Sequence, residues 1–345
     1  MAPDVFNHDV AQLLDGLGAC VVAWEQAIRH RFDLALAASL GGLHELHAPI
    51  MVMAHGAVRG KHARPAAGGG PRLAEPVVYG LDAPRLTRDG RVVPASLVLA
   101  HEREREILRR QCPEALPVAV LAGDPCLDRL LASLPMRRRY REAMAVAPGT
   151  RLVLFSSTWG RDGLFGADPD LLPRLVAGLP AGLRAAAQLH PAVWAAHGRR
   201  QVLAWLRDCR DAGLLVLDPA GDWRGAVIAA DCVVGDHGSV TAYAAAAGRP
   251  VLYAGGRRAA TVRGSAQDLV AAAATPLDPR RPLPDQVARA RPVGAAAVTA
   301  ALTGVPGGAG ARLRAAMYGL LGLPAPGPHR PPAPAPLPRL LSAEP

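Results

Sequence analysis

The chain has 345 residues, half of them apolar, and a formal charge of +10 at pH 7. That length suits two cores, built from Ala, Val and Leu because only 4% of residues are aromatic. No apolar run reaches the ~18–20 residues of a membrane span, and the N-terminus lacks the basic start and apolar core of a signal peptide. Lys61 is the only lysine among 39 basic residues, a coding bias that discounts the charge as a functional signal. The excess is uneven: residues 1–150 carry 18 basic and 16 acidic side chains, residues 151–345 carry 21 and 13. The second part therefore suits an anionic ligand, or simply has a solvated basic surface. The cysteines at 20, 112, 126, 209 and 232 have neither CxxC nor zinc-ligand spacing, which predicts reduced structural thiols in a cytoplasmic protein and no metal site.

In chain order, the strand candidates of the first part are Val21–Trp24, Leu34–Ala38, Ile50–Ala54, Leu97–Ala100 and Val118–Ala122, with helices over Asp9–Leu17 and Glu102–Gln111. In the second part they are Leu152–Ser156, Leu183–Leu189, Leu214–Leu217, Cys232–Gly235 and Val251–Ala254. Helices fill Pro169–Leu179, Val193–Cys209 and Val240–Ala247, and Ala295–Leu321 closes the fold as a helical region with a Gly break. Alternating β and α with short connections predicts an α/β fold of two Rossmann-like, doubly wound domains facing a cleft. The expected boundaries are residues 1–140, residues 141–322 and a Pro-rich tail, residues 323–345, that cannot pack a core and is expected to be disordered. A helix comes almost at once, where such a domain normally opens with a strand. Either the natural start lies upstream of Met1 or the first domain lacks its first strand.

Three segments carry chemistry. Cys232–Gly235 is a buried strand, and Asp236-His237-Gly238-Ser239-Val240-Thr241 opens the next helix, which Gly248-Arg249-Pro250 closes. A helix start offers unpaired N–H groups and the positive end of a dipole, so it suits a phosphate. Gly238 permits close approach, and the Ser239 and Thr241 hydroxyls add donors. An ordinary N-cap by Ser239 explains the same residues equally well. His190-Pro191 ends a predicted strand, where ligands bind in such sheets, although a lone histidine there is more often structural. His55-Gly56 ends another, with Lys61 six residues on. A histidine near its ordinary pKa of ~6.5 serves as a general base, and a surface loop with a stray lysine is the plain alternative. Glu102–Arg110 reads as ion pairs on an exposed helix face, and Met136–Arg141 as a solvated basic helix or a contact for anionic lipid. Nucleic-acid motifs are missing, so no nucleic-acid partner is expected.

These segments resemble, in order and spacing, the CDP-glycerol glycerophosphotransferase family, the teichoic-acid-type transferases of the GT-B fold. His55-Gly56 with Lys61 is similar to its His-Gly and Lys segment. Gly123-Asp124-Pro125 with Asp128 is similar to its Gly-Asn/Asp-Pro-x-x-Asp segment, and Thr158-Trp159 to its Pro-Thr-Trp turn. His190-Pro191 matches its His-Pro, and Asp236–Ser239 with Arg249-Pro250 its Asp-Tyr-Ser-Ser and Lys/Arg-Pro. The resemblance covers roughly residues 50–255. His237-Gly238 departs from it and makes the segment similar also to UDP-N-acetylglucosamine 2-epimerases. After Gly255 the family's aromatic and acidic residues are absent, and Arg257-Arg258 follow.

The resemblance implies a transferase that uses a CDP-glycerol-like or nucleotide-sugar donor on a polyol or glycan acceptor in cell-envelope polymer or glycan synthesis, without a cofactor. His55 and His190 are the expected catalytic residues. Thr158, Asp236, His237, Gly238, Ser239, Val240 and Thr241 are expected to hold the nucleotide phosphates, with Gly56, Lys61, Asp124 and Arg249 also in the cleft. The expected location is the cytoplasm, with a peripheral position at the inner face of the membrane left open. A nucleotide-sugar 2-epimerase, with Glu25, Asp124 and Asp236 as carboxylates, and a non-catalytic nucleotide-binding module are the alternatives.

Overall fold

The computed structural model describes residues 14, 18–63, 76–255 and 261–342. The chain forms two compact units. The first comprises Met1–Asp128, Ala260–Ser265 and Ala300–Pro332; the second comprises Arg129–Ala259, Ala266–Thr299 and Ala333–Pro345. The division falls after Asp128, before the expected boundary at 140, and the chain returns to the first unit twice.

The first unit holds a parallel sheet of β1 (Ala35–Ala37), β2 (Ile50–Val52), β3 (Ser96–Leu99) and β4 (Ala119–Leu121), in that spatial order. Both faces are covered, as a parallel sheet requires. Ile50, Val52, Leu97 and Leu99 pack with Ile107 and Leu108 of α1 (Glu102–Gln111). Their alternates Met51 and Val98 pack with Leu313 of the long helix Ala309–Leu321. The short strands Thr87–Arg88 and Arg91–Val92 form an antiparallel hairpin outside this sheet. Val21–Trp24, read as a strand, holds none: Trp24–Ala27 is a single helical turn. The helix expected over Asp9–Leu17 falls almost wholly outside the described residues.

The second unit holds six parallel strands: β5 (Arg151–Ser157), β6 (Leu183–Leu189), β7 (Leu215–Val216), β8 (Cys232–Gly235), β9 (Val251–Tyr253) and β10 (Thr275–Pro276). Their order is β10-β9-β8-β5-β6-β7. The winding reverses between β5 and β8, so the carboxyl ends of these two strands flank the switch point where such sheets bind ligands.

Two expectations about charged helices are corrected. Glu104 of α1 is not on an exposed face; it is buried against Arg59 at 2.7 Å. The basic helix α3 (Arg137–Ala143), which follows α2 (Pro125–Ala132), is not simply solvated. Arg137 and Arg141 lie 2.6 Å and 2.8 Å from the two Asp231 oxygens and also reach the carbonyls of Ala230 and Ala229, the cap and the last residue of α5 (Arg224–Ala229). The cause is a carboxylate and helix-end carbonyls that each need a cation.

The end of the Pro-rich tail, from Ala333, was also expected to be disordered and instead packs on the second unit, whereas the tail up to Pro332 goes with the first. Ala335 is buried, its N–H donating to Ser133 Oγ at 2.8 Å and its carbonyl accepting from Tyr140 Oη at 2.7 Å. Leu340 then pairs antiparallel with Leu217, beyond the end of edge strand β7. Proline cannot pack a core alone, but its extended backbone fits a groove whose side chains satisfy the few remaining polar groups.

Candidate functional site

At the carboxyl edge of the second sheet, Asp236 organises the switch point. It is 1% exposed, and its Oδ2 accepts the N–H groups of Thr158 and Leu164, both at 2.8 Å, while Oδ1 accepts from Gly238 at 2.8 Å. One carboxylate thus latches the loop after β5 to the loop after β8. The latched loop is tight. A Cβ on Gly163 would lie 2.4 Å from the Thr158 carbonyl oxygen, and one on Gly166 2.2 Å from that of Gly160, so only glycine fits either place. The His190 N–H donates to Ser157 O at 3.0 Å and draws the end of β6 to the same point. Thr158, His190 and Asp236–Thr241 are therefore brought together.

The helix after β8, α6 (Ser239–Ala246), has Gly238 as its N-cap and no side-chain cap. Ser239 is the first helical residue rather than the cap, which removes the ordinary-cap reading. With glycine at the cap, no N-cap side chain satisfies the first-turn N–H groups among the described residues, Asp236 taking only the Gly238 N–H, and the dipole's positive end is presented at the switch point. Ser239 and Val240 are half-buried here, as is His237. Thr241 is 1% exposed and its hydroxyl has no partner among the described residues. It packs under the strand end, where a Cβ on Gly235 would come 2.3 Å from Thr241 Oγ1.

Arg249 is not in this group. It stands between the end of α6 and the start of β9, at the amino edge of the sheet, with Nε 3.2 Å from Ala247 O and Nη1 3.4 Å from Ala230 O. Burial pushes its guanidinium down from the ordinary value, and Asp231 opposes that shift. Arg257 and Arg258 lie outside the described residues.

The histidines have assigned tautomers. His190 Nδ1 accepts the Ala192 N–H at 3.1 Å and caps α4 (Pro191–His197), so the neutral ring carries its proton on Nε2 and is a donor there. His55, in the first unit, has the opposite arrangement. Its Nδ1 lies 3.0 Å from the Ala38 carbonyl, which can only accept, so Nδ1 carries a proton and, in the neutral ring, Nε2 presents the lone pair. Gly56 follows with φ +75°, a conformation that favours glycine. Lys61 pairs through its backbone with Thr261.

Two carboxyl-edge groups of the first unit hold the backbone. Asp124 Oδ1 accepts from Cys126 and Leu127 at 2.8 and 3.0 Å, capping α2, and Asp128 accepts from Gly307 and Ala309 at 2.7 and 2.9 Å. The Gly-Asp-Pro-x-x-Asp segment is thus a helix cap plus a latch on the turn before Ala309. Glu25 is exposed in its helical turn.

Sequence reasoning missed His101, which ends β3 as His55 ends β2. The signal was present: Leu99-Ala100-His101 repeats the strand-then-histidine pattern. Its Nδ1 accepts the Arg103 N–H at 2.9 Å and caps α1. Burial, and then the Arg103 charge, hold its pKa below the ordinary value. A histidine depressed in the folded state binds fewer protons than the unfolded chain, so stability is full above pH ~6.5 and falls on acidification through the range below it. His101→Asn keeps a cap and cannot titrate, so the fall in unfolding midpoint between pH 7 and 5 is expected to be shallower than in the wild type. An unchanged slope in differential scanning calorimetry would refute this role.

Among the described residues, no group of three or more His, Cys, Asp or Glu could hold a metal ion, and no helix is long and apolar enough to cross a membrane. The described cysteines are free thiols; burial pushes Cys232 up to about 12.

No protein-family model matches the chain, and no curated protein matches it. Solved structures do. The wall teichoic acid polymerase TagF soaked with CDPG is 14% identical, with a TM-score of 0.43, over 64% of this chain and 52% of that one. The chain thus spans about half the length of the TagF structure. HepE of Anabaena, in complex with UDP-glucose, is 13% identical with a TM-score of 0.42, over 90% of this chain and 84% of that one. A glycosyltransferase from Rickettsia africae is 9% identical with a TM-score of 0.40, over 93% and 79%.

Proposed function

We propose that the chain is a GT-B-type transferase whose second unit binds a nucleotide-activated donor, CDP-glycerol-like or a nucleotide-sugar, and whose first unit supplies the base for a polyol or glycan hydroxyl. The observation that carries this reading is the uncapped start of α6 at the sheet's switch point, latched beside Thr158 and His190 by Asp236. A diphosphate there accepts first-turn N–H groups without displacing a protein ligand. His190 donates from Nε2 to the phosphate oxygen that gains charge as the bond to the transferred group breaks. His55 Nε2 takes the proton of the acceptor hydroxyl as its oxygen attacks. The nucleotide leaves carrying the bonding electron pair. Positioning and fixed electrostatics supply the acceleration.

The epimerase alternative loses support, because two of its three carboxylates, Asp124 and Asp236, are occupied with backbone N–H groups. A non-catalytic nucleotide-binding module would share the second unit and have no use for His55.

Gly238→Val is a poor probe of this site, since a Cβ there would lie 2.9 Å from Asp236 Oδ1 and 3.3 Å from Thr158 Cβ. Ser239→Asp is better. A negative charge in the first turn favours the helix by ~0.3–1 kcal/mol but repels a phosphate. UDP and CDP are expected to bind this variant at least ~10-fold more weakly, a loss of ~1.4 kcal/mol, with no fall in melting temperature. Unchanged affinity in isothermal titration calorimetry would remove the donor site from α6.

A further inference from the structure

We propose that the first unit binds a monosaccharide-sized oxyanion, a sugar or polyol bearing a phosphate or a carboxylate, in the cavity between the loop after β1 and the Thr87–Val92 hairpin. This deepens the transferase reading by giving the acceptor a charged group, and it rests on that reading only for the word acceptor.

The cavity has a volume of about 320 Å³. That is near the lower end of small-ligand sites, ~300–1,000 Å³, and fits one sugar ring with a charged substituent. Gly41, Gly42 and His44 form one wall, Arg85 and Arg88 another, and Tyr79 stands among them. Gly42 has φ +69°, and a Cβ on it would meet the Trp24 ring at 3.0 Å, so this lining position favours glycine.

The charges do not cancel. Arg85 pairs with Asp82 at 2.8 Å and lies 5.1 Å over the Tyr79 ring, so it is held in place and largely compensated. Arg88 is exposed and makes no ion pair among the described residues, and neither neighbouring acid, Glu45 or Asp89, lines the cavity. A net positive charge is left on a wall where guanidinium forks match the paired oxygens of a carboxylate or phosphate. The cavity shares Leu40 and Tyr79 with the smaller pocket that contains His55. In this proposal a ligand anchored by its anion at Arg88 has its hydroxyls on the side of Leu40 and Tyr79, where the two pockets adjoin.

The test is calorimetric titration of the full chain, without nucleotide, with glucose 6-phosphate, glucuronate and glucose. At least one anion is expected to bind, the tighter one identifying the oxyanion, while glucose does not. Arg88→Glu, on an exposed hairpin, is expected to weaken that binding at least ~10-fold with an unchanged melting temperature. His55→Ala is expected to leave it intact. Absence of anion binding at millimolar concentration, equal binding of glucose, or an unaffected Arg88→Glu variant would each overturn the proposal. Anion binding without turnover on any nucleotide donor would sink the transferase reading alone; turnover on neutral acceptors with no anion binding would sink this one alone.

Discussion

Arg59→Ala is expected to destabilise the first unit by ~3–5 kcal/mol, the usual cost of stripping one partner from a buried ion pair. Arg59 is 5% exposed and Glu104 8% exposed, so neither is rescued by water. Arg59 Nη1 donates both to Glu104 Oε2 and to the Val98 carbonyl, each at 2.7 Å, and Glu104 Oε2 also accepts the Ala100 N–H at 2.8 Å. The substitution leaves a charged carboxylate in a dry place with only a backbone donor. Replacing both partners with apolar groups is expected to cost much less, so Arg59→Met with Glu104→Leu should recover over half of the loss. Urea unfolding of the full chain measures both. A loss under ~1 kcal/mol in Arg59→Ala, the range of surface pairs, would contradict the buried-pair account.

His55→Ala is expected to lower turnover ~10²–10⁴-fold, the usual contribution of a general base, with donor affinity unchanged. The Ala38 carbonyl makes the stronger case for this role than the residue type does, because in the neutral ring it places the proton on Nδ1 and so the lone pair on Nε2. Single-turnover kinetics with saturating donor separates this from a binding defect. A variant with near-normal turnover would exclude His55 as the base. The same ring is carried by the loop that Arg59 anchors, so a milder Arg59→Lys variant is expected to disturb turnover as well as stability.

What was legible in the sequence follows physical rules. Buried parallel strands are short apolar runs, so Leu183–Leu189 and Cys232–Gly235 have the bounds read from sequence, and α1 does too because an acidic first turn and a basic last turn mark its ends. Thr275–Pro276 was not legible, since two exposed residues carry no periodicity. Arg249 is near Gly238 in sequence but not in space. In a βα unit the helix runs back across the sheet, so a residue between helix and next strand lies at the amino edge. The tail was not readable in the same way: composition shows that a segment cannot build a core, but not that Ser133 and Tyr140 await its backbone. The candidate site was half visible. His55, His190 and the α6 start came from strand-end positions, whereas the roles of Asp124, Asp128 and Asp236 as backbone latches emerge only from hydrogen-bond geometry.

The most direct test of the central claim is ³¹P NMR of the full chain with CDP-glycerol or UDP-glucose, with and without polyol and sugar acceptors, both neutral and phosphate-bearing. The account predicts that the diphosphate resonances of at least one donor shift and broaden on binding. It also predicts that CMP or UDP appears only when acceptor is present, and not with His55→Ala. Diphosphate resonances that stay unperturbed for both donors at millimolar concentration, with no nucleotide released, would contradict it.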